Sequence, residues 1–244
     1  MQTLDIQIPE FLSIQQYAKM AKVNSIDKFD SLIQAVDILT GYPIEDIRTW
    51  SLDSIKDLAD AFDRIADPKQ EFHSIIEWNG ELLGYAPVAS STLGEFIDLE
   101  NLAKDMESNM HKICAILYRP ITNHRFESFK FMVKQKIKMA KNQVENVFDW
   151  YEVEKYDSKK RKMREETFKD FPVHIFLGAL FFFIHNVNMY SINTLSLEGK
   201  MSRMKARQMI KDQTDNLSKS IGRGGGLSTA YLSPTYSQLQ GTQI

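Results

Sequence analysis

The most restrictive feature of this sequence is an uninterrupted apolar run from Ile175 to Ile184, IFLGALFFFI. A helix needs about 20 consecutive apolar residues to cross a bilayer, so this run is too short. Polar residues flank it on both sides: His174, His185, Asn186 and Asn188. A helix buried in a protein core therefore explains the run better than contact with a membrane, and the rest of the chain must supply that core.

The composition allows such a core and favours helices. The chain has 244 residues, of which 43% are hydrophobic and 25% charged, and a domain of this size buries most of the surface that its unfolded chain exposes. It contains only 11 glycines and 7 prolines. An all-β protein would need a turn residue about every 8–12 positions, so we exclude that class, together with collagen-like and wholly disordered chains.

Cysteine content and charge indicate a cellular compartment and exclude several kinds of site. Cys114 is the single cysteine, which rules out an intramolecular disulfide and a cysteine-based zinc site and fits a reducing compartment. The first residues, MQTLDIQIPEF, lack the basic and apolar regions of an export signal. The net charge of −2 gives no general attraction to nucleic acid. We expect a soluble intracellular protein with neither a membrane nor a nucleic-acid partner.

Apolar residues recur at helical spacing along most of the chain. Thr92 and Glu95 have the spacing of a capping box, although Asp98 is an equally good start for the same helix, and Gly41 stands where a C-cap glycine would. The predicted helices cover 14–23, 27–40, 44–48, 51 to before Pro68, 92–119 ended by Pro120, 126–151, and the apolar run with its flanks. The charged stretch after Tyr151 predicts an exposed connection.

A change of pattern between Phe72 and Tyr85 predicts the one sheet element. The Asn79-Gly80 pair lies between two apolar segments, and both turn positions tolerate positive φ, which is typical of a tight β-hairpin. The predicted fold is therefore mainly α: a helical domain with one small β-hairpin at about 73–85 and a flexible C-terminal tail.

The composition changes near Leu197 and divides the chain into three parts. We predict a helical domain with the hairpin over 1–197, a basic amphipathic segment over 198–219, and a flexible Gly/Ser/Tyr tail over 220–244. The second part could dock in a groove on another protein, lie along nucleic acid or an acidic surface, or pack on its own domain, and the tail could lack any role. As partner-binding residues we select these side chains of the last two parts: Met201, Met204, Arg207, Arg223, Tyr231 and Tyr236.

The candidates for chemistry have plainer structural explanations. His111 and Cys114 are spaced i, i+3, but Cys114 lies beside the apolar stripe, so a buried thiol next to a surface histidine is favoured over a metal or thiolate site. His174 and His185 are about three turns apart and are better read as polar groups at helix ends. GRGGG at 222–226 lacks the Lys-Ser/Thr of a phosphate loop and predicts a flexible joint. We expect no enzyme, no metal and no cofactor.

Several segments resemble proteins of tailed bacteriophages. The similar stretches are IPEFLSIQQYAKMAK, ILTGYPIEDIRTWSLDSIKDL, TLGEFIDLENLAKD, ILYRPIT, YEVEKYD and FPVHIFLGALFFF, and the resemblance covers roughly residues 8–190. The last four stretches are similar to segments of phage tail assembly chaperones, which bind the tape measure protein before the tail tube closes around it.

The resemblance implies a non-enzymatic helical protein whose partner is the tape measure protein or another virion protein, in the host cell cytoplasm or in the virion. It assigns no catalytic or metal residue. The first hypothesis is a tail assembly chaperone. The alternative is a structural virion protein of the neck, baseplate or capsid, whose C-terminal tail docks on a neighbouring subunit. A second copy of the same chain is a further candidate partner.

Overall fold

The computed structural model describes residues 9–23, 28–51, 54–55, 57–58, 60, 65, 71–126, 128–140, 146–197, 208 and 211–212. The helices are α1 Ile14–Met20, α2 Lys28–Thr40, α3 Ile44–Ile47, α4 Leu93–Ala103, α5 Met106–Leu117, α6 Phe129–Ala140, α7 Ser158–Arg164 and α8 Val173–Leu197. The strands are β1 Ile75–Trp78, β2 Glu81–Tyr85, β3 Tyr118–His124 and β4 Tyr151–Val153. Short 3₁₀ turns cover Val88–Ser90, Val147–Asp149 and Glu165–Phe168.

The predicted hairpin is confirmed. β1 and β2 pair antiparallel, with Trp78 opposite Glu81. The two residues between them, Asn79 and Gly80, have φ of 51° and 75°. Positive φ at both turn positions matches the right-handed twist of the flanking strands, which explains why the chain uses Asn-Gly here.

The hairpin is only half of the sheet, so the prediction of a mainly α domain with one hairpin at 73–85 is wrong. The strands form one four-stranded sheet in the order β1-β2-β3-β4, and all pairs are antiparallel. Pro120 ends the preceding helix as expected, but Arg119 before it is pushed towards extended backbone. The β-branched Ile121 and Thr122 that follow also favour a strand. β3 therefore follows α5 directly and pairs with β2 and β4.

One of the predicted helices is divided into two. The helix predicted over 92–119 starts at Thr92, whose hydroxyl forms a reciprocal capping box with Glu95, and not at Asp98. It then breaks into α4 and α5, because Asp105 leaves helical geometry (φ −131°, ψ 74°) and its side chain caps the new helix at the Ser108 N–H.

The segment predicted as a helix over 126–151 has a different structure. Only Phe129–Ala140 is α-helical among its described residues, and the chain later forms the Val147–Asp149 turn and enters β4 at Tyr151. The hydroxyl of Tyr151 lies 2.9 Å from the Tyr85 carbonyl oxygen and 3.0 Å from that of Ser74, to which it donates. These distant partners fix a three-residue strand that local pattern does not indicate. The charged stretch after Tyr151 is predicted as an exposed connection, but it contains the rest of β4 and the helix α7.

The apolar run forms the centre of the core, as predicted. Phe176 and Ala179 of α8 are fully buried, and Phe182 stacks on Phe72 with ring centroids 4.0 Å apart. Gly178 allows the chain at Glu71 to pass close to α8, because an added Cβ would lie 2.3 Å from the Glu71 carbonyl oxygen. Within the described residues, no helix combines the length and the apolar character that crossing a bilayer requires.

The N-terminal part is held to this core by backbone bonds. The N–H of Ile14 donates to the carbonyl of Phe171 (3.0 Å), and the N–H of Val173 donates to that of Leu12 (2.9 Å). The predicted helices at 14–23, 27–40 and 44–48 correspond to α1, α2 and α3, and Gly41 ends α2 at φ +73°. α2 and α3 enclose a second apolar cluster: Ile33, Val36, Ile47 and Leu58.

Candidate partner-binding cleft

The break between α4 and α5 creates a cleft on the surface of the main core. Its volume is about 240 Å³. α1 and α8 close it from the other sides, and its lining residues are Tyr17, Ala103, Lys104, Asp105, Met106, Glu107, Met110 and Leu177. The cleft therefore joins four helices that come from separate parts of the sequence.

Hydrogen bonds fix the corner that shapes the cleft. The side-chain amide of Asn109 donates to the carbonyl oxygens of Leu102 (3.2 Å) and Asp105 (2.9 Å). Lys104 donates to the side-chain oxygen of Asn101 at 2.9 Å. The Leu102 carbonyl at the end of α4 also accepts from the Asp105 N–H at 3.3 Å. The Asn109 side chain therefore ties the end of α4 to the start of α5 and holds the corner in place.

The floor of the cleft is apolar and its rim is charged. Met110, Leu177 and Tyr17 are 2%, 6% and 9% exposed, respectively. Burial, with a smaller contribution from Glu107, raises the pKa of Tyr17 to about 12, so its hydroxyl stays neutral in the physiological range. A methionine side chain adapts its shape to different apolar partners. Such a floor suits an apolar side chain brought by another protein.

The size of the cleft decides which ligand it fits best. Pockets for metabolites or drug-sized molecules usually enclose about 300–1,000 Å³, whereas a cavity of about 150 Å³ accepts a benzene ring. At about 240 Å³, this cleft fits one or two inserted side chains better than a whole small-molecule substrate.

A second polar feature lies where α4, β3 and α7 meet. Glu95 and Arg119 form a buried ion pair, Glu154 accepts from Lys160 and Arg164, and the Tyr156 hydroxyl donates to Asp98. Burial is the largest influence on Glu95 and raises its carboxyl pKa, although Arg119 opposes the shift. Each of these carboxylates has a hydrogen-bonding partner within the protein, so the cluster stabilises the contact between elements and is a poor candidate for acid–base chemistry.

The histidine and cysteine candidates do not form a reactive site. Cys114 is fully buried, and burial raises the pKa of its thiol well above the ordinary range. This agrees with the prediction of a buried thiol. Burial lowers the pKa of the half-buried His111 and His174. Among the described residues, no three His, Cys, Asp or Glu side chains are grouped so that they could hold a metal ion.

The selected partner-binding residues fall outside the described part of the chain. These are Met201, Met204, Arg207, Arg223, Tyr231 and Tyr236, and the glycines at 222–226 lie there too. The structure instead places a candidate surface at the α4–α5 corner, which the sequence analysis missed. Apolar residues before and after the break recur at the same helical spacing, so the apolar pattern does not mark the break. The sequence signal that does mark it is Asp105, because aspartate is a favoured N-cap residue.

Comparison with known protein families, with curated proteins and with solved structures finds no match to this chain. The features that bear on function are the cleft, the exposed apolar side chains and the resemblance of the sequence segments.

Proposed function

We propose that this chain is a phage tail assembly chaperone, which binds apolar segments of the tape measure protein in the host cytoplasm before the tail tube forms. The resemblance of residues 8–190 to phage proteins supports the choice of system. The observation that carries a binding role is the cleft at the α4–α5 corner, with its apolar floor of Met110 and Leu177 and its charged rim.

A helical client fits this geometry. One apolar side chain of an amphipathic helix enters the cleft, while polar side chains one turn away meet Lys104, Asp105 and Glu107 at the rim. Burying one leucine-sized side chain contributes about 1.5–3 kcal/mol. A single contact of that size is too weak to hold a client, so the cleft supplies one anchor among several contacts along the client. Contacts that are each weak separate readily, which suits a chaperone that must release its client during assembly.

Filling the cleft tests the proposal. Ala103 lines the cleft and is exposed, so an Ala103→Trp variant should occupy the space with little disturbance of the core. The variant and the unmodified chain are each co-expressed with the tape measure protein of the same genome. We expect the unmodified chain to keep the client soluble and to copurify with it, and Ala103→Trp to lose most of that effect.

Ser108→Trp is the matched control. Ser108 is exposed at the same corner but lies about 160° around the helix from Met106, away from the cleft. This variant should behave as the unmodified chain does. Equal client solubility with and without the unmodified chain would count against the chaperone role, and equal loss in both tryptophan variants would count against the cleft.

A structural role in the neck, baseplate or capsid is the second candidate. It is favoured by the exposed apolar side chains of α4 and α6, since a stable particle contact would cover them: Leu93, Ile97, Val133 and Ile137. Mass spectrometry of purified particles separates the two roles. A structural protein should be present at a fixed ratio to the tail proteins, whereas an assembly chaperone should be absent or far below that ratio.

A further inference from the structure

α2 and α3 are packed on each other through the second apolar cluster, which is separate from the main core. Its buried members are Ile33, Val36, Ile47 and Leu58. An ion pair between Arg48 and Asp30 (3.1 Å) and an edge-on contact between Tyr42 and Trp50 (5.3 Å) hold the same region together. Because these contacts join one short stretch of chain to itself, the stability of α2 and that of α3 depend on each other.

α1, on which α2 packs, is held firmly by the main core. The N–H of Ile14 donates to the Phe171 carbonyl at 3.0 Å. The N–H of Gln15 donates to the Lys169 carbonyl at 2.8 Å. The side chains of Ile14 and Tyr17 are buried in the main cluster. α1 therefore belongs to the main core and forms the surface that receives α2.

The side chain of Gln16 connects α1 to the end of α2. Its amide oxygen accepts from the Ser13 N–H at 3.0 Å and completes the capping box that begins α1. Its amide nitrogen donates to the carbonyl oxygens of Ile38 (3.4 Å) and Leu39 (3.3 Å). Carbonyls in the last turn of a helix lack a partner within that helix. Gln16 therefore caps the end of α2 as well as the start of α1.

This connection is weaker than the bonds that hold α1. Both bonds from Gln16 to α2 are longer than the usual range of about 2.7–3.2 Å for an N–H···O hydrogen bond. Leu39 packs against the main cluster but is only partly buried. α2 should therefore separate from α1 more easily than α1 separates from the core.

We infer that α2 and α3 detach from α1 and unfold together while the main core stays folded, and that the Gln16 side chain controls this opening. The stretch from Lys28 to Leu58 is shorter than the roughly 40 residues below which a chain seldom folds alone, so both helices should be lost on detachment. Opening uncovers Leu39 and the side of α1 that α2 covers. Tyr17 of the cleft floor directly follows Gln16, so the uncovered surface adjoins the cleft.

The inference involves no client, so its test is separate from that of the proposed function. The experiment is hydrogen–deuterium exchange of the full chain, in which peptides from α2 and α3 are compared with peptides from α5. We expect α2 and α3 to share one protection factor, at least about tenfold lower than that of α5. Equal protection of all three helices, or different protection of α2 and α3, would overturn the inference.

Gln16→Glu removes the contact with α2 alone. A glutamate can still accept from the Ser13 N–H, so the capping box of α1 is kept. It cannot donate to the Ile38 and Leu39 carbonyls, and its negative charge is unfavourable at the C-terminal end of α2. We expect exchange in α2 and α3 to be about tenfold faster than in the unmodified chain, with no change in α5.

Gln15→Glu is the matched control. It makes the same change of charge in the same turn of α1, but at an exposed position, and it should leave exchange in all three helices unchanged. Equal acceleration by the two glutamate variants would contradict the role of Gln16. So would a Gln16→Glu variant that accelerates α5 as much as α2, or one that accelerates neither.

Ile47→Ala tests whether the two helices unfold together. Ile47 of α3 is fully buried in the second apolar cluster, and its truncation leaves Gln16 untouched. We expect faster exchange in α2 as well as in α3, with α5 unchanged. Acceleration confined to α3 would show that the two helices open separately and would overturn the inference.

Discussion

Oε1 of Glu95 on α4 lies 3.2 Å from Nη2 of Arg119 on β3, and the two side chains are only 3% and 5% exposed, respectively. The same glutamate closes the capping box of α4 by accepting from the Thr92 N–H. One carboxylate therefore sets where α4 begins and ties that helix to the sheet. Because α4 leads into the corner of the cleft, this pair also positions the candidate binding surface.

Removal of either member of the pair should destabilise the fold strongly. Glu95→Ala leaves the Arg119 guanidinium buried without its carboxylate, and Arg119→Ala does the reverse, so each should cost about 3–5 kcal/mol. The double variant Glu95→Leu with Arg119→Met removes both charges and should cost less than either single change. Urea unfolding measures all three. A double variant that loses as much as the sum of the singles would show that the two side chains act independently.

Gly178 should not tolerate a methyl group. An added Cβ would lie 2.3 Å from the Glu71 carbonyl oxygen and 2.6 Å from its carbon, and both are backbone atoms. We expect Gly178→Ala to lose about 1–3 kcal/mol through overpacking. Gly94→Ala is the control, because the added Cβ meets nothing within 4 Å and alanine favours the helix. It should be neutral or slightly stabilising, and equal destabilisation by both changes would refute the close approach at Gly178.

Cys114 should react only after unfolding. Its side chain is fully buried, and burial raises the thiol pKa, so the thiolate that attacks a disulfide reagent does not form in the folded protein. Titration with a chromogenic thiol reagent should give almost no signal in native buffer and one equivalent in denaturant. Rapid labelling of the native chain would contradict the packing of α5.

Acid should weaken the fold through its histidines. Burial lowers the pKa of His111 and His174 below the ordinary 6.5. Because both are more easily protonated in the unfolded chain, their contribution to stability is present above about pH 6.5 and decreases as the pH falls through the folded-state pKa values. The free energy of unfolding should therefore fall below pH 6.5, and His174→Gln should fall less steeply. Identical slopes in the two proteins would exclude His174 as a source of this dependence.

The features that the sequence predicted correctly depend on neighbouring residues. Asn79 and Gly80 are neighbours that both accept the positive φ of the hairpin turn. The capping-box residues Thr92 and Glu95 are three positions apart. The apolar run indicates its own burial by its composition alone. Each of these signals lies within a short segment of the sequence.

The features that were missed depend on distant residues. β4 is held by the Tyr151 hydroxyl on Tyr85 and Ser74, more than sixty positions away, and β3 exists because β2 and β4 pair with it. The cleft depends on a helix break whose apolar residues stay in phase on both sides. Non-local pairing of short strands leaves little trace in the local sequence pattern. That pattern therefore predicts a helix over 126–151 and an exposed connection after it, where the structure has strand β4.

The most direct test of the proposed binding role is site-specific photo-crosslinking from the cleft. A benzophenone amino acid replaces Ala103 in the full chain, the variant is co-expressed with the tape measure protein of the same genome, and crosslinked peptides are identified by mass spectrometry after irradiation. We predict crosslinks from position 103 to apolar residues of a helical segment of the tape measure protein, and few from the same group at position 108. No crosslink from position 103, or equal crosslinking from both positions, would contradict the account.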